Sequence, residues 1–193
     1  METLQAIGTR RSVRAFSGEE VPLALIQSVL EAGVRAPSGG NCQPWRFIVV
    51  IDKEKLARLE SGYKRPFTKG AAGMIVACAN PHDTWARYGE DDTFGWLLDT
   101  AAAIENMLLA LHDLGLGGVW IMDIDKRLVR SLLGVPSGWQ IVSVIPFGYP
   151  AAKEERLTPR KLLSEVAFLD GIMPWQNVTA QRGDGMGGLF EVR

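Results

Sequence analysis

The chain is poor in the residues that most often carry chemistry. Its only two cysteines, Cys42 and Cys78, stand in unrelated contexts without a C-x-x-C or Cys/His spacing, which argues against a disulfide framework and a zinc site and leaves two reduced thiols. The two histidines, His82 and His112, are isolated, so acid–base catalysis built on histidine is disfavoured. Neither sign of charge prevails: 21 Lys+Arg face 22 Asp+Glu, and no long-range field exists to gather nucleic acid or an anionic membrane. No apolar run reaches the roughly 18 to 20 residues of a membrane span, and the first residues lack the apolar core of a signal peptide. A cytoplasmic protein is the expectation, under which the Asn177-Val178-Thr179 sequon is a coincidence.

Familiar site motifs are missing too. There is no G-x-x-x-x-G-K-[ST] phosphate loop, no G-x-S-x-G elbow and no H-E-x-x-H. The letters of G-x-G-x-x-G do occur at residues 183–188, but no strand precedes them and too little chain follows to make a helix whose N-terminus holds a pyrophosphate.

What is present is a mixed α/β pattern around one sheet, in a chain of 193 residues that suits one ordinary domain. Residues 22–35 put Leu23, Ile26, Val29, Leu30 and Gly33 on one side of a helix, with Pro22 suited to its first turn. Short β-branched runs at 46–51, 74–79, 117–122 and 140–148 read as strands. Residues 96–112 read as a long helix whose polar residues, Asp99, Thr100, Glu105, Asn106 and His112, are scattered around the cylinder, so burial on more than one side and a partner subunit are expected. From Gly171 onward the sequence is too rich in Gly and polar residues for a compact element and reads as a tail.

Two stretches concentrate the chemistry. "RRSVRAF", residues 10–16, sets three arginines and a serine within five positions; guanidinium forks match phosphate oxygens, and a hydroxyl adds a short hydrogen bond. The alternative is a solvated basic face. "APSGGNCQPWRF", residues 36–47, has no bulky side chain at Ser38, Gly39 or Gly40, so its backbone can approach a flat ring, and Asn41 and Gln43 carry amides suited to the edge of a heterocycle. A phosphate clamp and a flat polar heterocycle together describe a flavin mononucleotide site.

In this order, the arginine motif, the glycine loop, the long apolar helix and "LGLGGVWI" resemble the FMN-dependent nitroreductase family, over about residues 1–166. The resemblance implies an α+β fold: a three-layer sandwich, with a central, mostly antiparallel sheet flanked by helices, in an intertwined homodimer. It implies a domain over residues 1–170 and a C-terminal tail, 171–193, packing on the partner subunit. It assigns FMN phosphate and ribityl contacts to Arg10, Arg11, Ser12 and Arg14, and the border of the isoalloxazine to Pro37, Ser38, Gly39 and Asn41 of the other subunit. A backbone amide within Ile121, Met122 and Asp123 is expected to face flavin N5, and Arg160 to complete the phosphate clamp. Members commonly have a lysine where this chain has Thr158, and many have serine where it has Gly39. The implied reaction is ping-pong hydride transfer from NADH or NADPH through FMN to nitro compounds, quinones or similar acceptors, with no catalytic side chain beyond the flavin itself and no metal. Trp85, Tyr88 and Phe94, between the second strand and the long helix, are candidates to roof a pocket for a small aromatic acceptor, or else peripheral core. Other readings are an FMN enzyme of the same fold performing reductive dehalogenation, flavin reduction or flavin fragmentation, a flavin-binding protein with little turnover, and a phosphate-binding interaction domain.

Overall fold

The computed structural model describes residues 1–63, 68–85, 94–152 and 158–175. The chain divides into two compact units, Met1–Glu154 and Glu155–Arg193. Residues 158–170, expected to belong to the body, thus fall in the second unit.

In the first unit the order is α1 (Thr3–Thr9), α2 (Leu23–Val34), β1 (Trp45–Val50), α3 (Lys53–Glu60), β2 (Gly73–Ala79), α4 (Gly95–Asp113), β3 (Gly117–Gly118), α5 (Lys126–Leu133) and β4 (Gln140–Gly148). Local chemistry sets the boundaries. The Asp52 carboxylate accepts the Lys55 N–H at 2.9 Å to start α3, and Asp125 accepts from Arg127 and Leu128 to start α5. Helix α2 begins directly after Pro22, whose carbonyl accepts from Leu25 and Ile26.

The sheet runs β1-β2-β4-β3, every neighbouring pair antiparallel. Strand β2 is buried at every residue, which explains why its sequence is a continuous apolar run rather than an alternation. Met74, Val76 and Cys78 face a core layer containing Leu56 and Leu59 of α3 and Val129 of α5. Ile75, Ala77 and Ala79 face the other layer, with Ile26 and Val29 of α2 and Ile104, Met107 and Leu111 of α4. Helices on both faces of one antiparallel sheet make the expected three-layer α+β sandwich. Burial pushes the Cys78 thiol up to about 11, despite an opposing pull from Arg130, so it stays protonated at neutral pH.

One sequence expectation is revised. The strand expected at 117–122 contracts to Gly117–Gly118, after which Ile121 makes only an isolated bridge to Val144. Helix α4 buries a single stripe within this chain, Thr100, Ala103, Ile104, Met107, Leu108 and Leu111, while Leu98 is 68% exposed.

The second unit carries α6 (Leu163–Val166) and a small antiparallel pair, β5 (Phe168–Leu169) with β6 (Met173–Pro174). The Glu165 carboxylate accepts the Leu162 N–H at 2.7 Å, and the Ala167 N–H is bonded to Leu163 O.

Candidate functional site

The arginine motif leaves α1 at Arg10 and runs extended along the outer edge of β3. Ser12 bridges Gly118 in parallel, and the Val13 N–H donates to Gly118 O at 3.0 Å. Beyond it, Lys69 N–H donates to Arg14 O and Phe16 N–H to Lys69 O. In an extended segment alternate side chains fall on opposite sides. A strict alternation would set Arg10, Ser12 and Arg14 on one side, but only Ser12 of the three makes a bridge. Arg11, Val13 and Ala15 line a shallow depression closed by Pro150 and Ala152. The seat is tight: a Cβ on Gly117 would lie 2.5 Å from Val13 Cγ2, so only glycine lets the motif come this close.

Helix α4 holds both motifs through the polar residues that seemed scattered in the sequence. Glu105 forms an ion pair with Arg10, Oε1 to Nε 3.3 Å. About two turns on, His112 Nε2 lies 2.8 Å from Thr9 Oγ1, whose own hydrogen goes to Gln5 O at 2.6 Å; the imidazole is therefore the donor. Burial, followed by the nearby positive charges of Arg11 and Arg10, lowers the His112 pKa, against a smaller opposing effect of Asp113. On the neighbouring face, Asp99 Oδ1 accepts the Gly39 N–H at 3.1 Å and Asn106 Nδ2 donates to Ala32 O. These partners were beyond sequence reasoning, although Glu105 and His112, like Asp99 and Asn106, repeat at a two-turn spacing that signals a shared face.

The glycine loop is closed at its base by Ala36 and Trp45, which pack together on Ala103. At its tip Gly39–Asn41 form one 3-10 turn in which Asn41 N–H donates to Ser38 O, while Ser38 Oγ accepts the Gln43 N–H. Gly40, Asn41 and Gln43 all have left-handed φ, +56, +58 and +52°. That region is easy for Gly, tolerable for Asn and strained for Gln. Pro37, Gly39 and Asn41 are exposed and Ser38 is half-buried. The Trp85 indole lies directly on this turn: a Cβ on Gly40 would sit 1.9 Å from its Cε3. At the loop's exit the Arg46 guanidinium donates to Gln43 O and Trp45 O, pairs with Asp83 and stacks 5.8 Å from the Trp139 ring.

Of the remaining sequence candidates, Phe94 caps α4 and is exposed, and Tyr88 lies outside the described residues. The Ile121 N–H is committed to Val144 O at 3.0 Å, whereas the Met122 N–H has no partner among the described residues. Arg160 belongs to the second unit, where it donates to Thr158 O at 3.4 Å. Among the described residues, no hydrogen bond or ion pair joins residues 10–14 to residues 37–41, and no group of His, Cys, Asp and Glu is arranged to hold a metal. No helix among them is long and apolar enough to cross a membrane.

The arginine segment on the sheet edge offers guanidinium and hydroxyl donors of the kind that suit a phosphate, and the glycine turn carries the Trp85 indole against Gly40. The fold thus defines a three-layer α+β sandwich with one antiparallel sheet. A Nitroreductase family profile matches residues 7–62 and 60–149. The chain is 38% identical over 160 residues to an Archaeoglobus fulgidus protein provisionally named NADH dehydrogenase/NAD(P)H nitroreductase, covering 80% of this chain and 88% of that one. It is also 29% identical to an iodotyrosine deiodinase of Thermotoga neapolitana, across 73% and 84% of the two chains. Among solved structures, a Desulfovibrio desulfuricans protein in complex with FMN superposes with a TM-score of 0.74 at 29% identity, covering 88% of this chain and 98% of that one. The chain belongs to the nitroreductase family of oxidoreductases.

Proposed function

We propose that the protein is an FMN-dependent enzyme that passes hydride from NADH or NADPH to nitro compounds, quinones or similar small aromatic acceptors, working as a homodimer with two shared sites. The observation that carries this reading is the arginine segment seated on Gly117–Gly118, in a chain whose structural neighbour holds FMN. When bound, FMN supplies the atom that accepts and then donates the hydride. In this reading Arg10, Ser12 and Arg14 hold the phosphate and ribityl oxygens, and the Met122 N–H is the available donor toward the ring. Gly39 to Asn41 of the partner chain border the ring, and Trp85 walls the acceptor side. Support for sharing comes from the two motifs having separate supports on α4, with no hydrogen bond or ion pair joining them among the described residues.

A second reading, reductive dehalogenation of an iodinated or brominated phenol, is favoured by the similarity to the Thermotoga deiodinase. Steady-state turnover with a nitroarene, a quinone and a halogenated phenol separates the two.

The test pairs Arg14→Ala with Asn41→Ala. Losing one charge-assisted contact to a partly desolvated phosphate typically costs about 2 to 5 kcal/mol. FMN binding then weakens roughly thirtyfold or more, at about tenfold per 1.4 kcal/mol. Excess FMN restores most of the turnover of Arg14→Ala, whereas Asn41→Ala stays slow at saturation. A purified protein that binds no FMN, or an Arg14→Ala variant with unchanged affinity, refutes the reading.

A further inference from the structure

We propose that Glu105 is a positioning residue that aims the Arg10 guanidinium at the flavin phosphate; the inference rests on the FMN reading above. The Glu105 carboxylate approaches Arg10 from the Nε side, at 3.3 Å. Among the described residues the two Nη groups, the outward fork of the guanidinium, have no partner. That fork is the edge matched to two phosphate oxygens. The Arg10 side chain is only 19% exposed, compared with 46% for Glu105, so the arginine is the ordered member of the pair and the carboxylate its solvent-facing brace. The main chain leading into Arg10 is braced as well, because His112 holds Thr9 from the same face of α4. One helix face therefore fixes both the backbone that delivers the arginine and the direction of its head group. The pair itself is half-exposed and contributes little to stability, so its value lies in orientation. A long side chain that is already aimed loses less freedom when the anion arrives.

Two substitutions separate aim from charge. Glu105→Ala removes both, while Glu105→Gln keeps an oxygen that faces Nε and removes only the charge. FMN and riboflavin, which lacks the phosphate, are titrated into the native protein and both variants, alongside thermal melting. Glu105→Ala is expected to bind FMN about tenfold more weakly, the lower end of what losing an outer orienting partner costs a metal site. Its riboflavin affinity and melting temperature stay native. Glu105→Gln restores FMN affinity to the native level or above, since it also removes a negative charge near the phosphate. FMN affinity unchanged or tighter in Glu105→Ala overturns the inference, as do parallel losses for FMN and riboflavin, or equal FMN losses in the two variants. A native protein that binds neither flavin refutes the FMN reading, and this inference with it.

Discussion

Gly40 is where one side-chain atom has the largest foreseeable effect. Its φ of +56° is left-handed, and the space a Cβ needs is filled by the Trp85 ring. Gly40→Ala is expected to lose about 1 to 3 kcal/mol, the usual cost of a strained backbone site, before any clash is relieved by moving the indole. Gly138→Ala, at a position with open space around it, stays within about 0.5 kcal/mol of native. Denaturant unfolding of the two variants checks this, and equal stabilities would mean that Trp85 does not rest on the loop. The sequence marked this loop by its lack of bulky side chains, which lets the backbone approach a flat ring. The contact with Trp85 was invisible there, since it depends on how the β2–α4 connection returns over the loop.

At the scale of elements, α2, α4 and β2 were legible almost to the residue because their apolar spacing is sustained over several turns or several pleats. The polar residues of α4 were not, because their partners come from far along the chain: Gly39 is 60 positions from Asp99, Ala32 is 74 from Asn106 and Thr9 is 103 from His112. The strand at 117–122 was over-read for a related reason, β-branched composition being a weaker signal than pairing. The His112 contact also has a pH consequence. Its folded pKa lies below the ordinary 6.5, so the unfolded chain takes up the proton more readily. This contribution to stability is fully present above about pH 6.5 and is lost as the pH falls through the window below it. Melting temperatures measured between pH 5 and 8 should show that slope for the native protein and a shallower one for His112→Asn. Identical slopes would remove His112 from the account.

At the scale of the whole molecule, one sheet with helices was legible from the order of the elements and the sandwich came with the family resemblance, while the division near residue 154 was not legible. The apolar surface the first unit leaves open supports the proposed dimer. Leu98 is 68% exposed on α4, and Leu4 and Ile7 on α1 are each 49% exposed. Scattered apolar residues are normal on a monomer, but α4 also carries partly open Leu97, Ala101, Ala102 and Leu109. We expect sedimentation of the native protein to give a dimer, and Leu98→Asp to shift it toward monomer with parallel loss of bound FMN. A native monomer holding one flavin per chain contradicts both shared sites and this surface.

The enclosure of β2 has a consequence for the nascent chain. Its two edges are covered by β1, made earlier, and by β4, made later, and both of its faces lie under helices. Until residue 148 has left the ribosome, the most apolar strand of the protein presents an unpaired edge, which is a template for pairing with another chain. An arrest of synthesis shortly after α4 would leave that edge open, whereas an arrest once Gly148 has emerged from the ribosome would not. The fold thus makes the last strand of the first unit the one that ends the protein's exposure to aggregation during its own synthesis.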